Sequence, residues 1–364
     1  MKKLSAIIAL LCSMVMTATA STQPDKPLRL AVAGVTHGHL WEVVRRLDRG
    51  DFEVVGVWEK DDSYRTNNSL TRHLPENLVY SDLGKMLDET KPEAVVAYGP
   101  IYDHLKVVEE CAPRHIDVMV EKPLATTVKQ AERIEELARK YGIKVLTNYE
   151  TSWYPTNHYA AQLVNSGAIG RIRRMNIYDG HSGPFEIGCG KEFTDWLTDP
   201  VLNGGGAVID FGCYGANLAT WLMGGKAPEG VYAVLQNNKP ERYPKVDDDA
   251  TIILRYPGTT VNIGGSWCWP ESRKDMYIYG ENGDISQYTA NRLDYTVKGT
   301  HHRNVDVPAL QSPYDDSFLY LKGVVRGDIE LLPTDLASLE NNILVVRILN
   351  AAIRSARSGK EVKL

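Results

Sequence analysis

The sequence predicts an α/β protein, with a doubly wound parallel sheet first and an α+β domain on an open, largely antiparallel sheet second. Two observations carry this. As far as Asn148, short apolar runs alternate with stretches of helical spacing, the pattern of successive βαβ units. From Val231 to Val307, β-type runs follow one another directly, separated by Gly258, Gly280 and Asn282-Gly283. A chain of 364 residues, 43% hydrophobic and 24% charged, is long enough for two domains of ordinary size.

The first half predicts strands at Leu28–Ala33, Phe52–Trp58, Ala94–Ala97, Asp117–Val120 and Ile143–Thr147. Helices are expected over Leu40–Leu47, Asp82–Thr90, His104–Ala112 and Val128–Tyr141, the last capped by Thr126-Thr127. The texture changes after Asn148. A helix at Pro155–Ser166 and a strand at Arg171–Asp179 lead into a loop-rich insertion, Gly180–Asn203. A helix is expected at Ala216–Met223, and an amphipathic one at Leu336–Arg357 closes the chain. These spans divide the chain at 28–148 and 149–364. Asp247-Asp248-Asp249 reads as a solvated turn.

Residues 1–20 stand apart. Lys2 and Lys3 precede the apolar run Leu4–Val15, and Ala18-Thr19-Ala20 is a cleavage pattern, as in a secretory signal peptide too short to span a membrane. Export to the periplasm is the expectation. Leu11 before Cys12 is too bulky for lipoprotein anchoring. Loss of Lys2 and Lys3 takes the formal charge from −5 to −7, which offers nothing to nucleic acid or an anionic membrane. Cys111, Cys189, Cys213 and Cys268 form no C-x-x-C pair, and their disulfide status stays open.

Chemistry gathers where the predicted strands end. Gly34-Val-Thr-His-Gly-His39 turns a strand into a helix, where backbone amides and glycines meet a pyrophosphate. The fingerprint is imperfect, with Thr36 at the second glycine position and Gly38 one residue before the third. Glu59 ends the next strand, where a carboxylate binds adenosine ribose hydroxyls and repels a 2′-phosphate, favouring NAD over NADP. Asp117–Val120 runs into Glu121-Lys122-Pro123, aiming an ammonium at the crevice outside the sheet. His37 and His39 form an H-x-H pair, and no third metal ligand is near in sequence, so no metal is expected. Tyr149, Trp153, Trp196, Trp267 and Trp269 are aromatics able to stack on sugar rings.

These motifs resemble the glucose–fructose oxidoreductase/inositol dehydrogenase (Gfo/Idh/MocA) family over nearly all of the chain beyond residue 20. The resemblance rests on Glu121-Lys122-Pro123, Gly99-Pro100 with His104, the Gly-Ala-Ile-Gly170 turn, and Gly204-Gly-Gly-x-x-x-Asp210. It implies an N-terminal Rossmann domain holding NAD(P), a C-terminal sheet mediating homo-oligomers, sugar or polyol substrates, and a Lys–Pro bond that is often cis. Gly34, Thr36, His37, Gly38, His39, Glu59, Gly99, Pro100, His104, Glu121, Lys122 and Asn148 would then surround the cofactor. Lys122 matches the family lysine near the reacting hydroxyl. Tyr214 stands where many members carry histidine, as in the branch whose tyrosine is the acid/base.

On that resemblance Lys122, Tyr214 and Asp210 are the catalytic candidates. A free phenol has a pKa near about 10, and a lysine ammonium beside it would favour the phenolate. The expected activity is hydride transfer between tightly held NAD and a sugar or polyol hydroxyl. Alternatives are an NAD-dependent glycosidase working through a transient keto-sugar, and a non-catalytic sugar-binding protein.

Overall fold

The computed structural model describes residues 26–364, so the signal peptide read at Met1–Ala20 lies outside the described residues. The first sheet contains β1 Leu28–Ala33, β2 Phe52–Trp58, β3 Val79–Tyr80, β4 Ala94–Ala97, β5 Asp117–Glu121 and β6 Val145–Asn148. All run parallel, in the order β3-β2-β1-β4-β5-β6. Burial of both faces explains their unbroken apolar runs. The order reverses between β1 and β4, which opens a crevice at the carboxyl ends of the strands.

The helix Val128–Tyr141 forms where expected. Thr127 accepts the Gln130 N–H, Ala131, Ile134, Leu137 and Ala138 face the core, and Gly142 ends it in the left-handed conformation. The helix expected at Leu40–Leu47 is shorter. A 3-10 turn, Gly38–Leu40, leads into one helical turn, Trp41–Val44.

The second sheet contains β7 Ile172–Gly180, β8 Gly230–Gln236, β9 Asp249–Tyr256, β10 Thr259–Ser266, β11 Arg273–Gly280, β12 Gly283–Thr289, β13 Arg292–Val297, β14 Thr300–Asp306 and β15 Val362–Lys363. Its order is β14-β13-β12-β11-β7-β10-β9-β8-β15, antiparallel except where β7 pairs with β10. One face buries Met175, Ile177, Ile252 and Ile263 in a core shared with the helices Gly212–Leu222 and Leu339–Ser358. Tyr178, Tyr277 and Tyr279 stay partly or largely exposed on the other, so the sheet has the expected open face.

Three expectations need correction. The insertion Gly180–Asn203 contains a helix, Lys191–Leu197, which buries Trp196 and Leu197. The helix expected from Ala216 starts at Gly212, directly after the turn Ala207–Asp210, so Tyr214 is helical. Asp247–Asp249 is not a solvated turn. Asp248 is fully buried and accepts the backbone N–H groups of Asn238 and Lys239, while Asp247 accepts those of Gly206 and Val208. Buried amides need an acceptor, and these carboxylates supply it. A Cβ on Gly206 would stand 1.8 Å from the Asp247 carbonyl oxygen, which explains that glycine.

The C-terminal helices also pack back on the first domain. The helix Ser317–Arg326 packs Phe318, Leu321 and Val324 against Leu30, Val32 and Val96 of the first sheet. Ile343 and Val346 of the last helix join the opposite face of that sheet. The C-terminal segment therefore straps both domains together. Lys122–Pro123 is cis, as the resemblance implies, and Cys111, Cys189, Cys213 and Cys268 are all free. Among the described residues, no helix is long and apolar enough to cross a membrane.

Candidate active site

β1 ends where Gly34 turns the chain at φ 84°. A Cβ there would lie 2.6 Å from the Gly99 nitrogen, so the loops after β1 and β4 touch because position 34 is glycine. Glu59 is buried at the end of β2, accepting the N–H groups of Val35 and Asp61 at 3.1 and 3.0 Å. Gly34, Glu59, Gly99, Pro100 and His104 line one small cavity of about 10 Å³. His104 donates Nδ1–H to the Leu124 carbonyl, and burial holds its pKa down to about 4. The neutral ring leaves Nε2 a buried acceptor with no partner in the protein. Thr36 and His37 both donate backbone N–H to the Tyr98 carbonyl, so these two amides are already committed.

Beside this turn the Glu121 carboxylate accepts from Asn148 Nδ2 at 2.9 Å and His39 Nδ1 at 3.0 Å. Burial opposes its charge, yet His39 and His37 hold its pKa down to about 2. His39 in turn is raised by Glu121 against the effect of burial, whereas burial lowers His37 well below the usual range. The ligand atoms of His37, His39 and Glu121 lie within 4.8 Å of one another, so Glu121 is the third group absent from the H-x-H motif. The tautomer argues against a metal. His37 Nδ1 accepts the His39 backbone N–H, which leaves the proton of the neutral ring on Nε2, the nitrogen facing Glu121 at 3.9 Å.

Lys122 reaches across from the end of β5 into the second domain. Its Nζ donates to the Asp210 carbonyl at 2.9 Å and to Asp210 Oδ1 at 2.5 Å, while Trp267 Nε1 donates to Oδ2 at 2.8 Å. Burial opposes both charges. Even so, each partner holds the other ionised, with Lys122 raised and Asp210 lowered from ordinary values. The expected tuning of Tyr214 by Lys122 takes another form. The ammonium lies 5.0 Å from the ring centroid, over its face, and Lys274 Nζ lies 4.2 Å from the same ring. Burial, then Asp179, push the phenol well above its ordinary pKa, so Tyr214 is neutral at rest.

Residues 28–149 match the oxidoreductase family with an NAD-binding Rossmann fold, and residues 158–286 match the GFO/IDH/MocA C-terminal domain. The protein belongs to the Gfo/Idh/MocA oxidoreductase family. It is 23% identical over 325 residues to D-xylose 1-dehydrogenase (NADP(+)) 2 of Haloferax volcanii, covering 88% of this chain and 95% of that one. It is 28% identical over 272 residues to trans-1,2-dihydrobenzene-1,2-diol dehydrogenase of Xenopus laevis, covering 73% and 77%. Among solved structures it shares its fold with aldose-aldose oxidoreductase from Caulobacter crescentus complexed with glycerol. That match has TM-score 0.78 and 22% identity, with 93% of this chain and 100% of the other covered. An inositol dehydrogenase homolog complexed with NAD+ from Azotobacter vinelandii matches with TM-score 0.76 and 18% identity, over 93% and 98%.

This family member fits a dinucleotide on its own residues. The orphaned His104 Nε2 and Thr36 Oγ1 offer buried hydrogen-bonding atoms beside the turn, and the Gly34–Gly99 contact keeps side chains out of it. Three of the aromatics picked as sugar platforms are core residues. Tyr149 packs edge-on to Tyr214, Trp196 covers His37 and Phe193, and Trp267 is fully buried against Asp210 and Tyr243. Trp269 packs near Tyr178 and Arg273. Trp153 alone of the five borders the open groove with His39, Asn148, Glu150 and Tyr154. Sequence reasoning missed Asp179, Lys274 and Glu150. Asp179 had a signal, since it continues the inward alternation Met175, Ile177 along β7 and ends it in a carboxylate.

Proposed function

We propose that the protein interconverts a hydroxyl and a carbonyl at one carbon of a sugar or polyol, using a nicotinamide dinucleotide held by the first domain. The observation that supports this most is the Lys122–Asp210 pair, which sets an ammonium between the domains at the carboxyl end of β5, next to Glu121. Gly34, Thr36, Gly38, Glu59, Gly99, Pro100 and His104 would hold the dinucleotide, with His37, His39, Glu121 and Asn148 toward its reactive end. Bound there, the nicotinamide supplies a hydride acceptor or donor. Lys122 orients the substrate oxygen and stabilises negative charge developing on it. Asp210 fixes the ammonium, and Tyr214 holds the proton exchanged with that oxygen. Trp153 offers a face to the sugar ring.

Titration calorimetry with NAD+ and NADP+, then a panel of sugars and polyols read by NADH fluorescence, tests this reading. No cofactor affinity would sink it. Release of nitrophenol from a nitrophenyl glycoside without net NADH would redirect it to the redox-neutral glycosidase.

NAD is the proposed cofactor because the buried Glu59 carboxylate opposes a 2′-phosphate, although the xylose dehydrogenase relative is named for NADP(+). Glu59→Gln removes the charge, keeps an acceptor for one of the Val35 and Asp61 amides and turns its NH2 toward the other. It is expected to improve NADP+ binding relative to NAD+ on the order of tenfold, about 1.4 kcal/mol. An unchanged ratio would place cofactor choice elsewhere. The open face of the second sheet is proposed as a homo-oligomer contact, and light scattering at the mass of one chain would reject it. Export is proposed from Met1–Ala20, to be checked by periplasmic fractionation.

A further inference from the structure

A neutral, buried Tyr214 can accept a proton from a substrate only if it releases its own. A cavity of about 10 Å³ is lined by Tyr214, Thr151, Asn157, Asp179 and Lys274, among others. That is room for about one water molecule. Three buried atoms on these lining residues have no hydrogen-bond partner in the protein: Thr151 Oγ1, Asn157 Oδ1 and Asp179 Oδ1. Buried polar atoms are nearly always satisfied, by ordered water where protein groups do not reach. Lys274 sits opposite Asp179 in the β11–β7 register, with Nζ 3.8 Å from Asp179 Oδ1 and 2.7 Å from Glu150 Oε2. Glu150 borders the open groove, so this wall connects to solvent.

We propose that Asp179 is the proton acceptor behind Tyr214, reached through a single water in this cavity. As Tyr214 Oη takes the proton of the substrate hydroxyl, its own proton crosses to Asp179 Oδ1. One substrate O–H bond is broken and one Asp179 O–H bond formed, and the tyrosine ends as it began. A nicotinamide held by the first domain would accept the hydrogen on carbon as hydride. Asp179 then returns its proton to solvent on the Glu150 side. Lys274 is a positioning residue, bridging the two carboxylates.

The relay rests on the reading of Tyr214 as acid/base. The charged and titratable groups facing Asp179 are Lys274 from β11, Glu150 and Tyr154 after β6, Lys122 at the end of β5, Asp210 from the turn Ala207–Asp210, and Cys213 and Tyr214 from the helix Gly212–Leu222. Burial outweighs the two lysines and holds the Asp179 carboxyl up to about 8. A raised carboxyl binds its proton more tightly folded than unfolded, so folding stability falls as pH rises from about 4 toward about 8. Asparagine mimics the protonated acid, and Asp179→Asn is therefore expected to fold.

The test begins with infrared titration of the unsubstituted protein without substrate. A protonated-carboxyl C=O band that disappears near pH 8 and is missing from Asp179→Asn is expected. In turnover, oxidation by the unsubstituted protein should rise with pH through the same range. Asp179→Asn should lower kcat on the order of 100-fold, flatten that rise and leave NAD+ affinity unchanged. Thr151→Val, which removes one hydroxyl from the cavity wall, should lower kcat less. Absence of the band overturns the relay, as does an Asp179→Asn variant with ordinary kcat and pH profile. Loss of NAD+ binding by the unsubstituted protein would instead overturn the cofactor reading, and the infrared band would still decide the relay.

Discussion

Lys122→Met is expected to reduce turnover by at least about 1,000-fold and to destabilise the fold by about 3–5 kcal/mol. Methionine matches the length of the lysine stem, so packing changes little. The charge is the loss. Asp210 would keep its bond from Trp267 and lose the Lys122 ammonium while remaining buried. Removing one member of a buried pair strands the other, whereas neutralising both is far milder. Lys122→Met combined with Asp210→Asn is therefore expected to recover much of the thermal stability and none of the activity. Recovery of both would reduce the pair to a structural clamp. The pair also sets an acid limit. Asp210 is depressed in the fold, so its contribution is present above the ordinary carboxylate range and is lost as pH falls through the folded value.

Gly34→Ala is expected to have the largest effect on cofactor binding. A left-handed φ costs a residue with a Cβ about 1–2 kcal/mol, and that Cβ would collide with the backbone of Gly99. Crowding of a packed site adds about 1–3 kcal/mol. Backbone, unlike a side chain, cannot swing aside, so the loops after β1 and β4 would have to part. NAD+ affinity should fall at least tenfold, with melting temperature falling alongside. Calorimetry and thermal unfolding would show it, and ordinary affinity in this variant would mean that the dinucleotide does not lie on this turn.

Much of this architecture was legible because it follows from local pattern. The helix Val128–Tyr141 announces its cap, its inward face and its glycine stop within one stretch of sequence. The parallel strands read as apolar runs because both faces are covered. What escaped depends on contacts between distant residues. Nothing local in Asp247-Asp248-Asp249 shows that those carboxylates meet backbone amides from Gly206 and Asn238. Trp196, Trp267 and Tyr149 look like surface platforms until the insertion and the sheet close over them. The family likeness marks Lys122 and Asp210 as candidates, but their ion pair joins residues 88 apart and shows only in the fold. The second lysine on Tyr214 comes from β11, where strand alternation alone does not reveal which pocket a residue faces. Glu121 as the partner of His37 and His39 is likewise a product of strand order, since 82 residues separate it from His39.

The most direct test of a nicotinamide oxidoreductase acting on sugars or polyols is isotopic. Protein loaded with NAD+ is incubated with perdeuterated sugars and polyols in turn, and the nicotinamide is read by mass spectrometry. For at least one substrate the cofactor should gain a single deuterium, transferred as deuteride, with none gained by Lys122→Met under the same conditions. A cofactor that calorimetry shows to be bound, yet whose mass no sugar or polyol changes, would contradict the assignment.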